Sequence, residues 1–179
     1  NYSSLDIVAG ETTHGYIAEY ADRIYDMTGD ATLTEDEDGF VLYTKGNVCE
    51  VVEYKGDATD VVIPDGITAI NSRTFYDNDA IRMVFIPASA KSIGDYAFSC
   101  CKNLSQFISY SESCPTADDG NLLMCGTEVV AFAPAGVTEC VIPNGATGIR
   151  NAVFESCLNL ISVKIPDGVT TIGDSAFGG

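Results

Sequence analysis

Apolar residues recur along this chain in a fixed long-range order. Four segments align without gaps: IPDGITAINSRTF at 63–75, IPASAKSIGDYAF at 86–98, IPNGATGIRNAVF at 142–154 and IPDGVTTIGDSAF at 165–177. In each, a second Ile stands seven places after the first (Ile70, Ile93, Ile149, Ile172) and a Phe twelve places after it (Phe75, Phe98, Phe154, Phe177). The Ile-Pro pairs at 63 and 86 lie 23 residues apart, as do those at 142 and 165. A period between about 20 and 50 residues marks a solenoid, whose units bury their apolar faces only by stacking on one another. The fixed Ile and Phe places are therefore the expected core, with the four phenylalanines buried in line.

Ahead of each Ile-Pro runs the pattern L-x-x-L-x-L: Ala58, Val61, Ile63; Ile81, Val84, Ile86; Val137, Cys140, Ile142; Leu160, Val163, Ile165. A third unit, Leu104 and Phe107, reaches Ser109 where an Ile is expected, and Tyr2, Leu5 and Ile7 repeat the spacing once more. Alternation at period two followed by Pro predicts one short parallel strand per unit, near 2–7, 58–63, 81–86, 104–109, 137–142 and 160–165, with the Ile-Pro to Ala-Phe segments as the opposite wall. Between the arrays the pattern changes. Phe40 to Tyr43 and Val48 to Tyr54 flank Lys-Gly-Asn, and Leu122 to Met124 and Glu128 to Phe132 flank Cys-Gly-Thr, which predicts two hairpins. Ile17, Tyr20, Ala21, Ile24 and Met27 follow helical spacing, with Thr12 or Thr13 to cap the start and Gly29 to end it, which predicts an amphipathic N-terminal helix.

IPDGVTTIGDSAF and AFSCCKNLSQF resemble the BspA-type leucine-rich repeat, over roughly 58–109 and 137–179. The stretches 119–143 and 38–64 are similar to the hairpin insert that precedes a new run of these repeats, and 15–27 to the helix that closes one. The departures are Asn78 in place of Cys and a final unit that reaches Phe177 without a cap. The resemblance implies an α/β leucine-rich-repeat solenoid with one short parallel strand per repeat, two β-hairpin inserts and an N-terminal helix. It divides the chain into 1–30 (end of a preceding run with its closing helix), 31–57 (hairpin insert), 58–109 (first run), 110–136 (hairpin insert) and 137–179 (second run). It further implies a secreted or cell-surface bacterial protein that adheres to other molecules. Opening in mid-array and stopping without a cap suggests a piece of a larger protein, or ends that pair.

Composition restricts the chemistry. With 9 Lys+Arg against 26 Asp+Glu, the formal charge of -17 repels phosphate backbones and anionic membranes, so no nucleic acid is expected as a partner. No apolar run reaches the roughly 18 residues of a membrane-spanning helix, and the N-terminus lacks the pattern of a signal peptide. TEDEDG at 34–39 imitates the start of a calcium loop, but the place of the bidentate Glu falls on Lys45, so a solvated turn is the expectation. The 7 Cys include no C-x-x-C and the only His is His14, which leaves neither a zinc site nor a cofactor to predict. Cys101, Cys140 and Cys157 occupy core places and are expected buried and reduced. If residues 110–136 complete an intervening coil, Cys101 and Cys157 sit two coils apart, near 10 Å at strand spacings of roughly 4.8 Å, too far to bridge. Cys114 and Cys125, flanking a loop, are the one pair placed to form a disulfide.

A catalytic centre needs convergent acid, base or nucleophile, and the fixed places here are Ile, Phe, Pro and Gly, so no enzyme is expected. A glycan-active carboxylate pair is the remote exception. Two non-enzymatic readings fit: a module whose strand face captures an extracellular protein or glycan, and a spacer with no dedicated ligand. Strand alternation points the pairs Asp60 and Val62, Met83 and Phe85, Gln106 and Ile108, Glu139 and Val141, and Ser162 and Lys164 away from the core. Val62, Phe85, Ile108, Val141 and Lys164 then form one column. Either β-propensity or cover by the second hairpin accounts for its apolar members, or the column, with Met83, Gln106 and Glu139 beside it, is an anchor stripe for a ligand.

Overall fold

The computed structural model describes residues 17–20, 23–26 and 29–179. Strands β1 (Ile17–Tyr20) and β2 (Arg23–Asp26) pair antiparallel. β3 (Thr32–Glu35), β4 (Phe40–Lys45) and β5 (Val48–Tyr54) form an antiparallel unit that contains the first hairpin. The first run follows as β6 (Asp60–Val62), β7 (Ala69–Ile70), β8 (Met83–Ile86), β9 (Ser92–Ile93) and β10 (Gln106–Ser109). β11 (Thr116–Ala117), a 3-10 turn at Asp118–Gly120, β12 (Leu122–Cys125) and β13 (Glu128–Phe132) make the second hairpin unit. β14 (Glu139–Val141), β15 (Gly148–Ile149), β16 (Ser162–Lys164) and β17 (Thr171–Ile172) complete the second run.

Two walls enclose the core. One consists of the parallel sheets β6-β8-β10 and β14-β16. The other consists of β3-β4-β5-β7-β9 and β11-β12-β13-β15-β17, each of which begins antiparallel in a hairpin and continues parallel into the short strands around the second Ile of each repeat. The last strand of each hairpin is thus the first rung of the opposite wall.

The α/β class and the N-terminal helix are corrected by this architecture: among the described residues there is no α-helix, and Ile17–Tyr20 and Arg23–Asp26 form the β1–β2 pair. The reason lies in what Tyr25 meets. It is buried, its ring centroid 4.7 Å from that of Tyr43, and its hydroxyl accepts a hydrogen bond from Asn71 Nδ2 at 2.9 Å. Val41, Tyr43 and Val52 offer it an apolar sheet face, and Ile and Tyr suit strands at least as well as helices, so packing overrides a periodicity that local propensity only weakly supports. The proposed helix cap at Thr12 or Thr13 and the strand near 2–7 lie outside the described residues.

The core is an aromatic and aliphatic ladder. Phe75 stacks on Phe98 at 5.0 Å, with Tyr54 and Phe107 closing the row at 5.2 and 5.1 Å; in the second run Phe154 meets Phe132 and Phe177, each at 4.9 Å. Phe75, Phe98 and Phe154 are buried as expected, whereas Phe177 is 45% exposed because it lies on the last coil and is covered on one face only. The second hairpin is apolar on both sides. Leu123, Val130 and Ala131 pack into the first run, and Leu122, Met124, Val129 and Phe132 into the second. A plate buried on both faces reads as a continuous apolar run, which is what LLMC and VVAF are.

The residue after the second Ile records where a coil stands. In the second coil of each run it is Gly94 or Gly173, and a Cβ there would lie 2.8 Å from the backbone carbon of Asn71 or Arg150 in the coil before. In the first coil the neighbour is a hairpin strand, and the place holds a side chain, Asn71 or Arg150. Gly94→Ala is therefore expected to cost more than about 2 kcal/mol in chemical denaturation, while Gly168→Ala, whose Cβ would meet only Ala146 O at 3.1 Å, costs under about 1 kcal/mol. Equal losses would show that close coil stacking is not what requires glycine.

Candidate functional site

Strand alternation divides each repeat strand into a core side and an outer side. Val61, Val84 and Phe107 point inward and are buried, and between them the outer side carries two rows in register across β6, β8 and β10. One row is Asp60–Met83–Gln106 and the other Val62–Phe85–Ile108. Val62 is 64% exposed, and Met83, Phe85, Gln106 and Ile108 are half-buried. The second hairpin does not supply the cover: Leu122, Leu123, Met124, Val129, Val130 and Phe132 are engaged in the two cores.

The eight residues read as one face fall on two. Glu139, Val141 and Lys164 belong to the separate sheet β14-β16, in which Val141 pairs with Lys164. The 3-10 turn lies where the strands would have met: Asp119 O accepts a hydrogen bond from Gln106 Nε2 at 3.3 Å, and the Asp118 carboxylate is near enough to the Cys140 thiol to help raise its pKa. The column is thus interrupted after Ile108, because the hairpin plate enters between the runs and its leading turn occupies the space of a strand.

The structure also adds residues that the repeat alignment passed over. Tyr110, 65% exposed, continues the alternation of β10 onto the outer side, and its amide donates to Ile86 O at 3.0 Å. It stands where the other units have Pro64, Pro87, Pro143 and Pro166, so the Ser-Tyr in place of Ile-Pro was the available signal. Leu158 and Ile161, 81% and 82% exposed, occupy places that carry Lys102 and Ser105 in the first run.

A cleft of about 630 Å³ on the opposite wall is lined by Asn71, Asp95, Tyr96 and Arg150 among others. Several of its polar groups are engaged with one another or with the backbone. Arg150 donates to Ile93 O at 2.9 Å and pairs with Asp95 at 2.6 Å, Asn151 donates to Asp95 Oδ2 at 2.9 Å, and Asn71 donates to Glu50 at 3.0 Å. Asn71 with Glu50 and Arg150 with Glu128 occupy matching places at the head of each run, since Glu50 and Glu128 are the hairpin residues beside the first short strand. These contacts tie the first coil to its hairpin, and Arg150 and Asn151 also reach back to the preceding run. The acidic turn at 34–39 is likewise internally bonded: Asp36 Oδ1 accepts from the amides of Asp38 at 3.1 Å and Phe40 at 2.9 Å.

Among the cysteines, Cys114 and Cys125 form a disulfide, and Cys49, Cys100, Cys101, Cys140 and Cys157 are free. Cys101 and Cys140 are buried, but Cys157 is only half-buried, which corrects its assignment to the closed core. It belongs to the first coil of the second run, beside the exposed Leu158, and only one further coil stacks on it.

A family model described as BspA type leucine rich repeat region, in six copies, matches residues 52–126 and 127–179. The fold is similar to that of a leucine-rich repeat protein from Eubacterium ventriosum, with a TM-score of 0.65 and 26% identity over 73% of this chain and 36% of that one. The chain thus spans little more than a third of that relative. A leucine rich cell surface protein from Faecalibacterium prausnitzii aligns at 17% identity and a TM-score of 0.48, over 84% of this chain and 74% of that one. Among curated proteins, none matches the sequence.

Burial pushes the Cys101 thiol up to about 12, and burial together with the Asp118 carboxylate does the same for Cys140, from an ordinary 9.0. The folded state therefore holds these protons to higher pH than the unfolded chain does, so their contribution is complete below about pH 9 and is lost as pH rises toward 12. The urea midpoint is expected to hold to about pH 8.5 and to fall by about pH 10.5, and to fall less in a Cys101→Ala, Cys140→Ala protein. An identical fall in that variant would assign base sensitivity to other groups.

Proposed function

Since this chain belongs to the BspA-type leucine-rich repeat family, we propose that it is a non-enzymatic interaction module that captures a partner on the outer strand face of its first run. The observation that carries this reading is the apolar row Val62–Phe85–Ile108, which stands outside the core. Stacking alone does not account for it: burial of Val61, Val84 and Phe107 satisfies the core side of the same strands. β-propensity favours apolar residues in strands, but it does not require Phe or Ile on a solvent face. Met83 and Gln106 belong to the same patch, while Glu139, Val141 and Lys164 form a smaller one on the second run.

The family's general character as a repeat scaffold favours an interaction role over catalysis, and in the cleft on the opposite wall Arg150 is paired with Asp95. A secreted or surface location is part of the same proposal. It is supported by the Cys114–Cys125 disulfide, since such bonds persist chiefly in oxidising compartments.

Screening the purified chain against immobilised extracellular-matrix proteins and a glycan array tests the reading. Phe85→Asp and Ile108→Asp are expected to abolish capture while changing stability by less than about 1 kcal/mol. Val62→Asp, at the exposed end of the row, checks the same face with the least risk to folding. Large losses of stability in Phe85→Asp and Ile108→Asp would show the row to be internal packing. Capture insensitive to all three would place the ligand elsewhere, and no capture by the unmodified chain would favour a spacer.

A further inference from the structure

From the chemistry of this face, we infer that its partner is a polypeptide segment presenting apolar side chains flanked by Lys or Arg, not a glycan. The inference rests on the reading that the first-run strand face is the binding surface. Two rows in register make up that face, Asp60–Met83–Gln106 and Val62–Phe85–Ile108, and the exposed Tyr110 extends it past the end of β10. Parallel strands lie about 4.8 Å apart, so each row extends about 10 Å, and residues of like orientation along a strand are about 6.6 Å apart. This is the scale of a few side chains of an extended segment laid across the strands.

The groups within that area favour side chains over sugar. A glycan is held by hydrogen bonds to its hydroxyls together with aromatic platforms, and specificity in such sites comes from placed polar groups. Here the row Val62–Phe85–Ile108 is entirely aliphatic or phenyl. In the row beside it, the one carboxamide, Gln106, already donates to Asp119 O. Val62, Met83, Phe85 and Ile108 are side chains that gain from excluding water against other apolar groups, in the manner of a protein interface core.

Charge determines the flanks. Exposed Asp57, Asp60, Asp65 and Glu112 lie on or within three residues of the three strands, and Asp119 is joined to the face through Gln106; within the same reach the one cation is Arg82, while Lys55 and Lys102 farther out are paired with Glu35 and Asp79. The whole chain carries -17, which attracts cationic partners and repels sulfated or carboxylated glycans. An apolar anchor with a basic rim is the complement of this surface in both respects.

The test is selection of a random peptide library displayed on phage against the immobilised chain, in parallel with a glycan array. Recovered peptides are expected to combine Leu, Ile, Val, Phe or Tyr with Lys or Arg, and Phe85→Asp and Val62→Asp are expected to abolish their binding. Affinity should fall roughly tenfold or more from low to high salt, and an Asp60→Asn, Glu112→Gln, Asp119→Asn protein should bind several-fold more weakly with a flatter salt dependence. Glycan binding that depends on Phe85, with no peptide recovered, would overturn the polypeptide assignment and leave the face standing. Enrichment of neutral or acidic peptides would overturn the charge assignment. Binding indifferent to both Phe85→Asp and Val62→Asp would remove the face itself, and recovery of neither class of ligand would overturn the inference outright.

Discussion

The contact of Phe75 with Phe98, two rings nearly parallel at 5.0 Å, shows the condition that this fold has to meet at every level. A single coil has a core side of one Phe, a few Ile or Val and little else, and it leaves water only when another coil lies on it. Where a neighbour is present on both sides, Ile70, Ile93 and Ile149 are almost completely buried; on the last coil their counterpart Ile172 is 55% exposed. The same residue type in the same repeat place thus has opposite environments. Burial here is a property of the stack and not of the unit.

The hairpins follow from that condition. A plate inserted between runs must be apolar on both faces, because each face has to act as the neighbour of a coil, and the division of Leu122 and Leu123 between two cores meets this requirement within two residues. Apolar contact has little orientational preference, so rotation of one run against the next is opposed by directional bonds at the rim. Arg150 joins Asp95 and Ile93 O across the junction, and Ser99 Oγ donates to Ala152 O at 3.0 Å. Asn71 does the corresponding work at the head of the first run through Tyr25 and Glu50.

Legibility in the sequence followed the same division. Repeat strands, both hairpins and the inward Phe and Ile places were readable, because stacking imposes identical demands on each unit and so writes a period into the chain. The stretch around Tyr25 was not: IAEYADRIYD satisfies a helical spacing and a strand pair alike, and only the face offered by Val41, Tyr43 and Val52 decides between them. The break in the outer column was equally hidden. Alignment of units places Val141 beside Ile108, whereas the intervening plate, through Asp118 and Asp119, separates them in space. Tyr110 is hidden for a related reason: a period shows only the places that conform to it, and Ser109-Tyr110 departs from Ile-Pro.

Exposure of the apolar row bears on function through the two-residue period of a strand. Inward residues such as Val61 and Val84 are fixed by packing, and a change there is felt by the coils on either side. Outward residues on the same strands are exposed or half-buried and so less constrained, and they differ between runs: Val62–Phe85–Ile108 on one, Val141–Lys164 on the other. One backbone therefore keeps the packed residues and the face proposed for recognition on opposite sides. The hairpin plate extends this separation from the single strand to the whole run, since by interrupting the sheet at Ile108 it confines each outer patch to its own set of coils. A surface built this way can change its outer residues on one run while the aromatic ladder beneath it, and the patch on the neighbouring run, stay as they are.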